Sequence, residues 1–359
     1  MKIGIIGAGQ LGRMLALAGY PLGLRFVFLD QSDDAPGAQV GRIITGAFDN
    51  PEHLSKLADA CDVVTFDVEN VPVDAVTEIA KRKPFYPQPA VLGASQDRLT
   101  EKTLFGKLRI PTPAFAAVDS LEDLQRAVRA IGAPGILKTR RLGYDGRGQF
   151  RIKTAADCEQ AWQELGSVPL IYEAFVKFSR EISIVGVRST TGETRFYPVS
   201  ANTHEQGILR HSIAPYRNTT LQRQAETYMK KLFKQFDYVG ILTIEFFVKG
   251  GKLIANEMAP RVHNSGHWTI EAAETSQFEN HVRAILGLPL GSTRAVGHSA
   301  MVNFIGTIPA AETVLKIPGV HYHNYGKEPR PNRKLGHCTI TAATPAARDR
   351  ALKHALKFR

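Results

Sequence analysis

The segment from Lys138 to Gln149 (KTRRLGYDGRGQ) has the residue types needed to hold a polyphosphate. Glycines at 143, 146 and 148 let main-chain N–H groups come close to phosphate oxygens. Lys138, Arg140, Arg141 and Arg147 crowd cationic charge around them. Lys138 lies in the strand leading in, where its ammonium neutralises phosphates as a point charge. Short strands flank the loop, so the pattern predicts a hairpin lid over a triphosphate rather than a strand-to-helix phosphate loop. An ordinary glycine-rich surface turn is the plain alternative, and four cations around three glycines argue against it.

Two strands, Gly240–Val248 and Lys252–Met258, flank Gly250-Gly251 and read as a β-hairpin. Alternation turns Leu242, Ile244, Phe246 and Val248 to one face and Thr243, Glu245 and Phe247 to the other. Counting back from the turn sets Glu257 nearly opposite Glu245, with the Asn256 amide beside them. Buried like charges are costly unless a cation lies between them, and Mg²⁺ shared with nucleotide phosphates is the natural occupant. The alternative is a solvated pair of edge glutamates. Upstream, Tyr172-Glu173-Ala174-Phe175-Val176 offers a short apolar stretch whose main chain suits an adenine edge, and Glu181 can accept from ribose hydroxyls. Immediately after the hairpin come Arg261, His263 and Asn264. Arg261 can grip a small carboxylate at two points, and His263 and Asn264 add donors. His263 and His267 have the spacing of a helical metal pair, but Ser265 and Gly266 between them favour a loop over a zinc site.

A further motif, Gly7-Ala8-Gly9-Gln10-Leu11-Gly12, satisfies G-x-G-x-x-G between a strand and a helix, and Asp30 ends the next strand. That is the dinucleotide fingerprint in its usual context. Physically it states only that a helix N-terminus can receive an anion, whether a pyrophosphate, a substrate phosphate or a carboxylate.

These residues are positioned by an alternating N-terminal part and a strand-rich remainder. Lys2–Gly7, Leu24–Asp30, Val40–Thr45 and Val63–Asp67 read as strands, with helices over Gln10–Tyr20 and Pro51–Ala60, which predicts a parallel sheet. Ala90–Leu108 reads as one charged amphipathic helix. Helix Leu121–Ile131 and strands Gly135–Thr139 and Gln149–Ile152 follow. From Ile171 strands dominate, and a short helix begins after Thr344 as N-cap with Pro345 at its first position. The expected domains are 1–100, 101–180 and 181–359. With 43% hydrophobic and 22% charged residues the composition is that of a globular protein, and no apolar run approaches the roughly 20 residues that span a bilayer. The opening KIGIIGAG fits a buried strand better than a signal peptide. Scattered Cys61, Cys158 and Cys338 form no metal-type pair, and the chain is expected in the cytoplasm. The net charge of +11 is spread along the chain without a basic block or aromatic platform, which argues for anionic substrates rather than nucleic acid.

Taken in order, GAGQLGRM, ENVP at Glu69–Pro72, QDRLTEK at Gln96–Lys102, GYDGRGQ at Gly143–Gln149 and HEQGILR at His204–Arg210 resemble the N5-carboxyaminoimidazole ribonucleotide synthases of the ATP-grasp superfamily. NEMAPRVHNSGHWT at Asn256–Thr269 and GKEPRPNRKLGH at Gly326–His337 complete the pattern. The resemblance runs from residue 1 to about residue 340. It implies an α/β and α+β chain: an ATP-grasp fold behind a Rossmann-like pre-ATP-grasp domain that holds substrate instead of NAD. By the same resemblance, ATP contacts fall on Arg98, Lys138, Gly143, Tyr144, Asp145, Gly146, Arg147, Gly148, Gln149, Glu173, Ala174, Phe175, Val176, Glu181, His204, Asn256 and Glu257. Magnesium, replaceable by manganese, falls to Glu245 and Glu257. Bicarbonate falls to Arg261, His263 and Asn264. Aminoimidazole ribonucleotide falls to Tyr144, Asp145, Arg147, Lys327, Arg333 and Lys334, with Gly9, Gln10 and Leu11 nearby. Lys138, Arg261, His263, Asn264 and Asp145 would carry the chemistry, Asp145 orienting the amine. The family commonly has Thr-x-Glu-x-Glu where this chain has Thr65-Phe66-Asp67-Val68-Glu69, so Asp67 shortens one carboxylate.

The implied reaction phosphorylates bicarbonate with ATP and then carboxylates the ribonucleotide amine. The implied protein is a homodimer linked functionally to the mutase of the next pathway step, with no nucleic-acid or membrane partner. A formate-using glycinamide ribonucleotide transformylase shares the nucleotide site, and a dehydrogenase would need Gly7–Gly12 to bind NAD.

Overall fold

Alternating apolar strands and amphipathic helices in the first hundred residues give the expected parallel sheet. In the computed structural model, which describes residues 1–143 and 146–358, strands Lys2–Ile6, Arg25–Asp30, Arg42–Thr45 and Val63–Phe66 pair in the order third, second, first, fourth. All three pairings are parallel. Helices Gln10–Gly19 and Pro51–Ala60 lie where the pattern sets them, the second capped by the Asn50 side chain on the amides of Glu52 and His53.

The single helix expected over Ala90–Leu108 is two, Pro89–Ser95 and Arg98–Lys107. Asp97 breaks it: in extended conformation its carboxylate caps the amides of Leu99 and Thr100, a competing use of the backbone that an interior position forbids. Gln96 beside it donates to the carbonyls of Glu69 and Val71, tying the break to the first domain.

A second, antiparallel sheet orders Phe115–Val118, Leu170–Ala174, Gly135–Thr139 and Gln149–Ile152 side by side. Its hydrophobic core includes residues of the helices Leu121–Ile131 and Cys158–Leu165. The third sheet has nine strands among the described residues, with the Gly240–Lys249/Lys252–Ala259 hairpin at one edge and strands Lys334–Ala342 and Val320–Asn324 at the other. Against it packs an 18-residue helix, Thr219–Phe236, capped by Asn218, in a stretch read as strand-dominated. Its buried Leu221, Ala225, Met229, Leu232 and Phe233 follow helical spacing. The C-terminal helix Pro345–Ala355 starts as expected, with Thr344 accepting from the Ala347 amide.

One apolar cluster joins the first domain to the large sheet. Ile3, Ile5, Met14, Leu15 and Phe28 pack together with Val185, Val187, Ile241, Trp268, Phe278 and Val282.

Candidate active site

The carboxylate hairpin has the expected register. Glu245 pairs with Glu257 across antiparallel strands, and Leu242, Ile244, Phe246 and Val248 fill the core on the opposite face. A bulge after Glu245 supplies the one-residue offset that counting from the glycines left uncertain. Burial pushes the Glu245 carboxyl above its ordinary range; protonated His204 opposes this, and the neighbouring carboxylates of Glu257 and Glu181 add to it. Glu257, by contrast, is held below the carboxylate range despite burial, by the Arg98 guanidinium at 3.1 Å. Its side chain keeps 40% of its surface open to the cleft. His204 Nδ1 lies 2.9 Å from Glu181, and this pairing and the other carboxylates outweigh burial to raise its pKa to about 8. Three carboxylates thus surround one imidazolium. A divalent cation between Glu245 and Glu257 would relieve the charge that burial penalises, so these residues fit the magnesium that the resemblance implies.

Lys138 is buried, and its Nζ donates to Glu173 at 3.1 Å. Lys102, also buried, approaches the same oxygen at 3.4 Å and donates to the Asn256 carbonyl at 2.6 Å. Burial lowers the Lys138 pKa; Glu173 opposes that, while Lys102 and Arg98 add to it. Glu173, expected at the adenine edge, pairs its side chain with these two buried lysines. The accessible main chain expected there is also reduced: the Ala174 amide donates to the Ala114 carbonyl and the Phe175 amide to the Pro134 carbonyl. The cation cluster of the lid is divided as well. Arg140 and Arg141 turn to Asp97, at 3.0 and 3.5 Å, at the hairpin's root. Arg98 joins the two walls of the cleft, donating to the Gly143 carbonyl at 2.8 Å as well as to Glu257.

Gly148 has φ +66°, and a β-carbon there would meet Thr139 Oγ1 at 2.6 Å; at Gly146, φ +78°, it would meet the Gln206 carbonyl at 2.4 Å. The lid loop thus lies against the turn of the HEQGILR motif, which only glycine permits. Tyr144 and Asp145 lie outside the described residues.

After the hairpin, His263 caps a short turn at Asn264–Gly266. Its Nδ1 accepts from the Ser265 amide and lies 2.8 Å from the Ser265 hydroxyl, which assigns the proton to Nε2, 3.8 Å from Glu245. Burial, then the charges of Arg261, Lys334 and His204, hold this histidine well below its ordinary pKa, so it is a neutral donor. His267 diverges into the core, where its Nδ1 meets Gln277 Nε2 at 3.3 Å. No cluster of three metal-ligating side chains of the histidine, cysteine and carboxylate kinds occurs among the described residues. Arg261 turns its Nε to Glu69 at 3.1 Å and Nη1 to the Val262 carbonyl, which leaves the outer Nη1–Nη2 edge for a small carboxylate.

The N-terminal fingerprint is filled from within. Asp30 accepts from the Ala8 amide and buried Asp67 from the Gly12 amide. Asp67 Oδ2 also lies 3.0 Å from where a Gly9 β-carbon would be. The amides of Gln10 and Leu11 remain without a partner among the described residues. Lys327 reaches this turn, its Nζ 2.9 Å from Gln10 Oε1, so the C-terminal basic loop and the first turn do converge. Lys334 lies close enough to influence both Glu245 and His263. Arg333 donates to the Glu328 carbonyl of its own loop. Sequence reasoning missed Glu69, Lys102, Asp97 and Asn303 as partners of site residues; ENVP and QDRLTEK, which contain three of them, were the available signal.

A lid hairpin and a carboxylate hairpin facing each other across a buried lysine define the ATP-grasp class of ATP-dependent ligases. Residues 103–278 match the ATP-grasp domain, residues 1–96 the ribonucleotide synthetase preATP-grasp domain, and residues 299–351 the phosphoribosylaminoimidazole carboxylase C-terminal domain. The N5-carboxyaminoimidazole ribonucleotide synthase of Pseudomonas aeruginosa is 53% identical over 346 residues, 96% of each chain. The crystal structure of the corresponding synthetase from Thermus thermophilus superposes with a TM-score of 0.95 at 50% identity, covering 99% of this chain and 98% of that one. An Aspergillus clavatus N5-carboxyaminoimidazole synthase in complex with ADP and 5-aminoimidazole ribonucleotide gives 0.92 at 30% identity, over 99% and 98%. The chain belongs to the N5-carboxyaminoimidazole ribonucleotide synthase family.

Proposed function

We propose that the chain uses ATP to carboxylate the exocyclic amine of 5-aminoimidazole ribonucleotide with bicarbonate, giving N5-carboxyaminoimidazole ribonucleotide, ADP and phosphate in de novo purine biosynthesis. The observation that carries the reading is one cleft in which Lys138, the Glu245–Glu257 pair and the Arg261–Asn264 turn meet, with Lys334 at its edge. A bicarbonate oxygen attacks the γ-phosphorus and ADP leaves, forming carboxyphosphate. The amine then attacks its carboxyl carbon, phosphate leaves and the amine loses a proton. Phosphoryl transfer depends on positioning and charge neutralisation more than on covalent help.

Lys138, oriented by Glu173, meets the phosphates. Glu245 and Glu257 would hold magnesium, or manganese in its place, which would neutralise phosphate charge. Glu181 takes the ribose hydroxyls and Val176 with its neighbours the adenine edge. The outer edge of Arg261 and the Nε2–H of His263 orient bicarbonate and keep the acyl phosphate from water. Asp145 orients the amine. The ribonucleotide's 5′-phosphate rests on the Gln10 and Leu11 amides with Lys327 and Lys334 around it, a helix N-terminus used for an anion. Family membership also supports a cytoplasmic homodimer that hands its product to a mutase. No helix among the described residues is long and apolar enough to cross a membrane.

ADP release that requires both bicarbonate and ribonucleotide, with label from bicarbonate and not from formate in the product, tests the reaction. Lys334→Ala tests the phosphate site: loss of one charge-assisted contact, about 1.5–3 kcal/mol, should raise the ribonucleotide KM roughly 10- to 100-fold and leave the ATP KM nearly unchanged. If both KM values stay at wild type, Lys334 lies outside the substrate site.

A further inference from the structure

Strand His298–Ile305 carries an asparagine in an apolar setting. Asn303 is fully buried, and its sequence neighbours Met301, Val302 and Phe304 are fully buried core residues. A buried amide is costly unless its hydrogen bonds are made. Here they are. Asn303 Nδ2 donates to the Leu209 carbonyl at 2.8 Å and to Asn264 Oδ1 at 2.6 Å, and Asn303 Oδ1 accepts from Asn264 Nδ2 at 3.0 Å.

The order of these contacts removes an ambiguity. Either end of an asparagine amide can be oxygen or nitrogen until its partners decide. A main-chain carbonyl can only accept, so Leu209 fixes the NH₂ end of Asn303. Asn303 in turn fixes Asn264, whose Nδ2 must face the Asn303 oxygen. Each group of Asn264 then has capacity left: one N–H and one lone pair. Asn264 directly follows His263, whose Nε2 faces Glu245 across the cleft.

We propose that Asn303 is a positioning residue for the bicarbonate step: through Leu209 and a reciprocal amide pair it sets the orientation of Asn264, so that the remaining N–H of Asn264 is presented to the bicarbonate or acyl-phosphate oxygen. This rests on the assignment of Asn264 to bicarbonate. The chain reaches from the hairpin strand Ile208–Ala214, through the strand His298–Ile305, to the turn after the carboxylate hairpin. Specificity for a small oxyanion would then depend on a residue that the anion never touches.

A double-mutant cycle tests it, with KM for bicarbonate, ATP and ribonucleotide measured in bicarbonate-depleted buffer. Asn264→Ala and Asn303→Ala are each expected to raise the bicarbonate KM about tenfold, the worth of one hydrogen bond, with the ATP KM changed less than about twofold. The double variant is expected to be no worse than the worse single variant. Multiplying effects would overturn the proposal, because Asn303 would then act independently of Asn264. Equal rises in all three KM values, or a loss of stability alone, would reduce Asn303 to a core residue. An unchanged bicarbonate KM in Asn264→Ala would instead remove the bicarbonate assignment itself, and the proposal with it. If Asn303→Ala does not fold, Asn303→Ser keeps a smaller polar group and the same cycle applies.

Discussion

The chain has two glycine-rich segments, and they have opposite fates. Gly7–Gly12 looks like a nucleotide site, yet its own domain supplies Asp30 and Asp67 to its amides. The second segment is held partly from outside: the Gly143 carbonyl accepts from Arg98 and Gly146 lies against the Gln206 carbonyl, while the Gly148 carbonyl accepts from the Thr139 amide of its own hairpin. The first turn is a finished piece of architecture that leaves two donors over. The second is a cover fastened at its root by Asp97, Arg140 and Arg141. A glycine motif therefore indicates close approach of the backbone, and the residues that fill the space decide what approaches.

The largest effect should come from charge removed beside the lid. Glu257→Gln is expected to lower kcat by more than about a hundredfold while the fold survives, because phosphate neutralisation is lost where the transition state needs it. Turnover near wild type in a folded Glu257→Gln protein would erase the contrast between the two segments.

A charge removed from the first turn should act on stability instead. Burial raises the Asp67 carboxyl from 3.8 to about 6; the Gly12 amide opposes this and Asp30 adds to it. Such a group binds its proton more tightly folded than unfolded, so its stabilising contribution is complete below about pH 4 and is lost as pH rises through about 6. Asp67→Asn should therefore be more stable than wild type at pH 7.5, by at most about 3 kcal/mol, with the gap narrowing toward pH 5. Parallel stability curves from denaturant unfolding across that range would show that Asp67 ionises freely. The smallest expected effect is none: millimolar NAD or NADP should leave Tm unchanged, and a clear upward shift would restore the dinucleotide reading.

Much of this was legible in the sequence because it is local. Alternation along Gly240–Lys249 and a glycine turn are enough to oppose Glu245 to Glu257. The Gly143–Gln149 motif announces a lid. What escaped is what long-range packing decides. Asn303 is an asparagine in an apolar strand, and nothing near it in sequence names Asn264, 39 residues away, as its partner. Arg140 and Arg141 stand next to the glycines in sequence, which says nothing of Asp97, the helix cap they pair with. The helix Thr219–Phe236 lies in a stretch that reads as strand-dominated, although its buried apolar residues keep a helical spacing over that segment.

The apolar cluster shared by the first domain and the large sheet has a consequence for the history and the handling of this chain. Leu11, Met14 and Leu15 are sealed in the company of Trp268, Phe278 and Val282, so neither half presents a finished surface when the other is cut away. A fragment ending near residue 100 would expose a contiguous greasy face and tend to aggregate, and the remainder would carry the matching scar. Such halves cannot be shuffled freely between unrelated genes as cassettes. Any recombinant that replaces the first hundred residues must bring in a side-chain relief complementary to the one it abandons.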